Sequence, residues 1–149
     1  MNTPYGNMPK LYLDTNILLD HVMNRQPFST SADQLMLHIA QRRAVGSTSV
    51  INLVHTHYQL RRSVSEQTAR QVLTDLLVVI DVVDIPSNLA ATALVNQDCK
   101  DFEDAVQWTL CQHHRVDFLI TRNGSDFPAS SQPVVCDAET YLLQHAPPA

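Results

Sequence analysis

The chain has 149 residues, 44% hydrophobic and 17% charged, with a formal net charge of −5. That is the size and balance of one globular domain with a single core, and no apolar run approaches the ~20 residues of a membrane span, so no membrane partner is expected. Net acidity disfavours indiscriminate binding to nucleic acid, and three cysteines without CxxC spacing, Cys99, Cys111 and Cys136, argue against a disulfide framework or a zinc site.

The opening MNTPYGNMPK lacks the basic-then-apolar order of a signal peptide, so a cytoplasmic location is expected. Residues 1–9 read as a flexible lead-in, 10–145 as a single domain and 146–149 as a frayed tail. KLYLD reads as a strand with Leu11 and Leu13 on one side and Tyr12 on the other, passing through Asp14-Thr15-Asn16 directly into the helix ILLDHV. RQPF breaks that helix, STSADQLMLHIAQRR forms a second, and AVGSTS is a short strand. Thr48 and its neighbouring serines supply cap candidates for VINLVHTHYQLRR, and Ser65 caps SEQTARQVLTDLL.

VVIDVVDI, residues 78–85, is dense in β-branched side chains and predicts a buried strand. Pro86 starts a helix through SNLAATALV, and KDFEDAVQWTLCQHH is the next. VDFLIT is a strand with TRNGSDF as its exit loop, PVVCD is a last strand, and AETYLLQ is a closing helix. Strands alternating with helices predict parallel strands joined by right-handed crossovers, an α/β three-layer sandwich. With only three glycines, the chain has no Gly-rich phosphate loop, which excludes dinucleotide folds and P-loop ATPases.

In such a sheet the working site lies beyond the carboxyl ends of the strands, where strand order reverses. Asp14 sits at one such end, followed by Asn16. Thr121 ends the VDFLIT strand, with Asn123 and Asp126 beyond it. If the first and fourth strands are neighbours, these five residues converge. Acids in a first helical turn are favoured by the helix dipole alone, so KDFEDA argues for function only in that company. Asp101 and Asp104, three apart, project about 60° from one another and can serve one site, whereas Glu103 lies about 160° from Asp101 and faces elsewhere. Phe102, Ala105, Val106, Thr109 and Leu110 form a core stripe that holds the acids at its border.

Carboxylates gathered without matching lysines or arginines repel one another, and a hard divalent cation resolves that repulsion. Oxygen-rich, sulfur-free donors suit Mg2+ or Mn2+, and such ions activate water against phosphate esters. Phosphodiester hydrolysis is the chemistry implied. His55 and His57, two apart on a helix, point about 200° apart and are poor co-ligands.

LYLDTNILLD, the DFEDA helix start and the LITRNGSDF strand exit together resemble the PIN-domain family of endoribonucleases, close to the toxins of bacterial toxin–antitoxin pairs. The resemblance extends from Lys10 to Leu143. It implies a five-stranded parallel sheet in the order 3-2-1-4-5 and an RNA substrate. It also implies an antitoxin partner and a homodimer. The family's acid after the first strand falls on Asp14, its helix-start acid on Asp104 with Asp101 as an additional acid, and its strand-exit acid on Asp126 or the position of Asn123. Asn16 and Thr121 would orient these carboxylates.

One departure stands out: Asn52 occupies the position of the acid that the family usually places early in the third helix. An amide can offer a metal its carbonyl oxygen but brings no charge. A catalytically weakened PIN-like domain, binding RNA or protein, is therefore the second reading. A phosphohydrolase with Asp14 as nucleophile is the third, and it lacks a second acid at Asn16. Because the acidic centre repels phosphate, Arg25, Arg61, Arg62 and Arg122 are the expected RNA contacts.

Overall fold

Lys10–Leu13 forms the first strand, β1, and Leu11, Tyr12 and Leu13 in it are fully buried. A strand buried on both faces belongs at the centre of a parallel sheet with helices on either side. The computed structural model, which describes residues 6–147, has this arrangement. The further strands are β2 (Val45–Thr48), β3 (Asp81–Val82), β4 (Phe118–Ile120) and β5 (Val134–Cys136). They pair in the order β3-β2-β1-β4-β5, every pair parallel, so the expected sheet is the one observed.

The helices are α1 (Thr15–Val22), α2 (Ser29–Ala40), α3 (Val50–Leu60), α4 (Glu66–Val79), α5 (Leu89–Leu94), α6 (Phe102–His113) and α7 (Ala138–Thr140). Leu11 and Leu13 point to one core, packed with Leu18 of α1, Leu35 and Ile39 of α2 and Leu76 of α4. Tyr12 points to the other, with Leu89 of α5, Val106 and Leu110 of α6, and Leu119. This is the period-2 alternation of the strand turned into two layers. Gly46 on β2 serves the first layer, because a Cβ there would stand 2.7 Å from Ile39 and 3.1 Å from Ile80.

Two expectations are corrected. Residues 78–85 are not one buried strand: α4 continues through Val79, and β3 is only Asp81–Val82, both exposed. Ala69, Leu73, Leu76 and Ile80 recur at helical spacing toward the core, and that periodicity outweighs the β-branched composition of the segment. Phe102, placed in the core stripe, is 49% exposed, because at the first position of α6 it lies before the helix reaches its packing partners. No helix among the described residues is long and apolar enough to cross a membrane.

Helix starts follow the polar residues that precede them. Ser49 Oγ accepts from the Asn52 amide at 3.3 Å and Ser65 Oγ from the Thr68 amide at 3.1 Å. Helix ends do without glycine: Asn24, Arg42 and Arg115 take the left-handed turn, with φ of 50°, 59° and 51°. After α6, the Val116 amide donates to the Cys111 carbonyl at 3.1 Å and Arg115 to Gln112 at 3.2 Å, the double closure of a Schellman turn.

Candidate active site

The carboxyl ends of β1 and β4 lie side by side, since Leu13 registers with Ile120 and the Asp14 amide donates to the Ile120 carbonyl at 3.0 Å. Here strand order reverses, opening the crevice in which parallel sheets hold ligands. Asp14 caps α1, with Oδ1 accepting from the Thr15 amide at 2.7 Å. Its Oδ2 accepts from the Thr121 hydroxyl at 2.8 Å and the Asn16 side-chain amide at 3.5 Å. Asn16 is held in turn, donating to Thr121 Oγ1 at 3.2 Å and accepting from the Arg122 amide at 3.2 Å. Asn123 joins through its backbone, which donates to Thr121 Oγ1 at 3.1 Å.

Asp101 caps α6: its Oδ1 accepts from the Asp104 amide at 3.0 Å, and that bond holds its carboxyl below the usual range. Asp104 behaves oppositely. Burial first, then a side-chain hydrogen bond with Asp101 and the charges of Asp101, Asp126 and Asp14, push its carboxyl up to about 7. Asp14 is raised as well, by burial and then by Asp126, against the hydrogen bonds from Thr121 and Thr15 and the field of His55. Asp14, Asp104 and Asp126 thus share one electrostatic field. Glu103 turns aside, its Oε1 3.6 Å from His55 Nδ1.

The cluster is not without a cation, contrary to expectation. Lys100 Nζ lies 3.7 Å from Asp126 Oδ1, and the Lys100 amide donates to the Asp126 carbonyl at 3.0 Å. Asn52 is fully buried and does not turn its carbonyl oxygen outward. That oxygen accepts from Thr15 Oγ1 at 2.9 Å and Gln107 Nε2 at 2.8 Å. Its Nδ2 donates to the Leu13 carbonyl and Thr48 Oγ1, both at 3.1 Å, to Gln107 Oε1 at 3.2 Å and to the Tyr12 hydroxyl at 3.3 Å. Asn52 is the hub of a buried network under the acids.

Arg122, an expected RNA contact, pairs with Asp20. Its Nε and Nη2 donate to the two oxygens of Asp20 at 2.7 and 3.1 Å, and its guanidinium lies 3.9 Å from the centre of the Phe28 ring. Arg61 pairs with Glu66 at 3.1 Å and the Val64 carbonyl at 2.6 Å. Arg62 is exposed, and Arg25 is half-buried at the turn between α1 and α2. Asp20, Gln107 and Lys100 escaped sequence reasoning, and His55 figured in it only as a metal ligand. Gln107 left a signal, as a lone amide inside the apolar run AVQWTL, but its partner Asn52 is 55 residues away.

Among the described residues no three His, Cys, Asp or Glu side chains stand close enough to hold a metal by themselves. The donor chemistry still fits a hard cation, because Asp14, Asp104 and Asp126 offer carboxyl oxygens, and the charge of Asp126 raises Asp14 while those of Asp126 and Asp14 help raise Asp104. Because magnesium usually keeps several of its waters, Asp14, Asp104 and Asp126 would hold it in part through water, and it would supply the charge that offsets theirs.

The family model of the PIN domain matches residues 10–125. No curated protein sequence is significantly similar to the chain. Among solved structures, it is similar to Mycobacterium tuberculosis VapC20, a sarcin–ricin loop cleaving toxin, with 19% identity over 81% of this chain and 98% of that one and a TM-score of 0.63. It is also similar to VapBC2 from Rickettsia felis bound to a DNA fragment from its promoter, with 13% identity over 86% and 97% and a TM-score of 0.60. At these identities both likenesses are of fold, and the 3-2-1-4-5 parallel sheet is common to them and to this chain. Because the matched model spans most of the chain and ends one residue short of Asp126, taking in Asp14 and Asp104, the chain belongs to the PIN-domain family.

Proposed function

We propose that this chain is a divalent-metal-dependent endoribonuclease, the toxin of a toxin–antitoxin pair. The observation that supports the reading is the pair of raised carboxyls, Asp14 and Asp104, at the switch point, each opposed by the charge of Asp126. These three would hold Mg2+ or Mn2+. When bound, the ion polarises the phosphate ester and lowers the pKa of its water toward neutrality.

The chain's own residues supply the frame. Thr121 and Asn16 keep the Asp14 carboxylate in one orientation. Asp101 anchors the first turn of α6 and so the position of Asp104. Asp104 releases its proton to serve as a ligand, so metal affinity rises as pH passes about 7. Asn52 and Gln107 tie α3 and α6 together beneath the acids in place of a fourth carboxylate.

The partners belong to the same proposal. VapC20 is named as a toxin that cleaves the sarcin–ricin loop and VapBC2 as a complex on promoter DNA, and by that analogy this chain takes RNA as substrate and pairs with an antitoxin. A homodimer and a cytoplasmic location complete it. Large apolar side chains exposed around α5 and the start of α6, Leu94, Val95 and Phe102, offer a surface for pairing, which light scattering tests.

The buried, neutral Asn52 favours one alternative, a PIN domain with weakened catalysis that binds RNA or protein. Incubating RNA with wild type and Asp14→Asn, in manganese and in chelator, decides. Cleavage that needs both manganese and Asp14 supports the nuclease. RNA left intact by wild type in manganese supports the binding module.

A further inference from the structure

A groove of about 450 Å³ opens beside the acids, lined by Thr15 and Leu19 of α1, Val54, His55, Tyr58 and Gln59 of α3, and Glu103 of α6. Its size falls in the range of ligand clefts, roughly 300–1,000 Å³. It begins at the site, because Thr15 follows Asp14 and Glu103 precedes Asp104. Along α3 the lining residues are 54, 55, 58 and 59, the spacing of one helix face. Leu19 and Val54 give the lining its apolar part, and the ring of Tyr58, 68% exposed, and the polar end of Gln59 lie along it, while the Thr15 hydroxyl is turned to Asn52. His55 stands where Glu103 steadies it at 3.6 Å, within electrostatic reach of Asp14.

An exposed aromatic face, hydrogen-bonding groups at its edge and a basic side chain toward a phosphate site are the chemistry of a single-stranded nucleotide. We propose that this groove binds the nucleotide next to the scissile bond of the RNA, with its base stacked on Tyr58 and its phosphate contacted by His55. The inference rests on the ribonuclease reading. It assigns to α3 a role in holding substrate, in a helix that supplies no acid. A second copy of this chain is the competing occupant, since Val54 and Tyr58 are exposed and apolar enough to pack against one.

The test is fluorescence anisotropy of a short labelled single-stranded RNA with the full-length protein in calcium, beside cleavage in manganese and light scattering. Tyr58→Ala weakens binding about tenfold and Tyr58→Phe binds as wild type, since stacking on one aromatic ring is worth that order. His55→Ala weakens binding, and His55→Gln, which keeps a hydrogen-bond donor, recovers part of it. Melting temperatures stay within those of wild type, because both side chains are exposed. Tyr58→Ala binding as tightly as wild type overturns the subsite, and so does Tyr58→Ala that turns a dimer into monomers with RNA affinity unchanged. Wild type that binds the RNA through Tyr58 yet never cuts it refutes the nuclease reading and with it the place beside a scissile bond, while upholding nucleotide stacking on Tyr58. Wild type that cuts RNA as well as Tyr58→Ala does leaves the nuclease standing and removes the subsite.

Discussion

Asp104 is a carboxyl whose folded pKa of about 7 lies above its ordinary 3.8, and the sign of its effect follows from that. Between those values the folded protein binds a proton that the unfolded chain does not, so metal-free stability from this group is full below about pH 4 and is lost as pH rises through 7. Melting in chelator between about pH 5 and 8 should show a falling temperature, and Asp104→Asn should flatten the fall while abolishing manganese-dependent cleavage. A variant with the wild-type pH slope would place Asp104 outside the acid cluster. Asn52 sets the opposite problem. A glutamate there would strengthen a metal site only if the side chain faced the crevice, and it faces the network of Thr15, Thr48 and Gln107 instead. Asn52→Glu should therefore cost of the order of 3 kcal/mol, through a buried charge and lost donors, with no gain in manganese affinity by calorimetry.

At the level of elements, the scarcity of glycine leaves its mark on helix ends. Arg115 turns left-handed at φ 51° after α6, a conformation that costs a side chain roughly 1 kcal/mol and costs glycine nothing. Arg115→Gly should raise stability by about that amount in urea melts, and a loss would mean that the arginine side chain makes a contact worth more than the strain. Arg122 binds α1 to the exit of β4 through Asp20, which is 1% exposed. Arg122→Ala strands that carboxylate and should cost on the order of 3 kcal/mol, with Asp20→Ala in the same chain recovering part of it. Equal stability of the single and double variants would show that Asp20 does not need the pair. The Arg122 amide that holds Asn16 belongs to the backbone and is kept in the single variant, so cleavage should fall no further than melting explains.

For the molecule as a whole, a ligand that binds only the folded state stabilises it by mass action, about 2.7 kcal/mol at a hundredfold excess over Kd. Manganese should raise the melting temperature of wild type, and the rise should shrink on losing Asp14, Asp104 or Asp126. Because Asp104 must shed its proton, the shift should be larger at pH 8 than at pH 6. An identical shift in all three variants would move the ion to another part of the surface.

Periodicity and caps along the chain determined the element order, the parallel sheet and the two-sided packing of β1, because these depend on local sterics and on which face is apolar. They also placed Asp14 and Thr121 at strand ends, which suffices once β1 and β4 are neighbours. The strand order came from family resemblance rather than from the residues. The limits of α4 and β3 were decided by packing, since Val78 and Val82 have strand composition but are exposed beside a helix whose other face is buried. Only the tertiary structure decided what each charged or polar side chain faces. Arg122 chose Asp20 over solvent, Lys100 came to Asp126, and Asn52 turned inward to Gln107, 55 residues along the chain. Such choices depend on distances between segments remote in sequence and on burial that makes an unpaired polar group costly, and neither is written in local pattern.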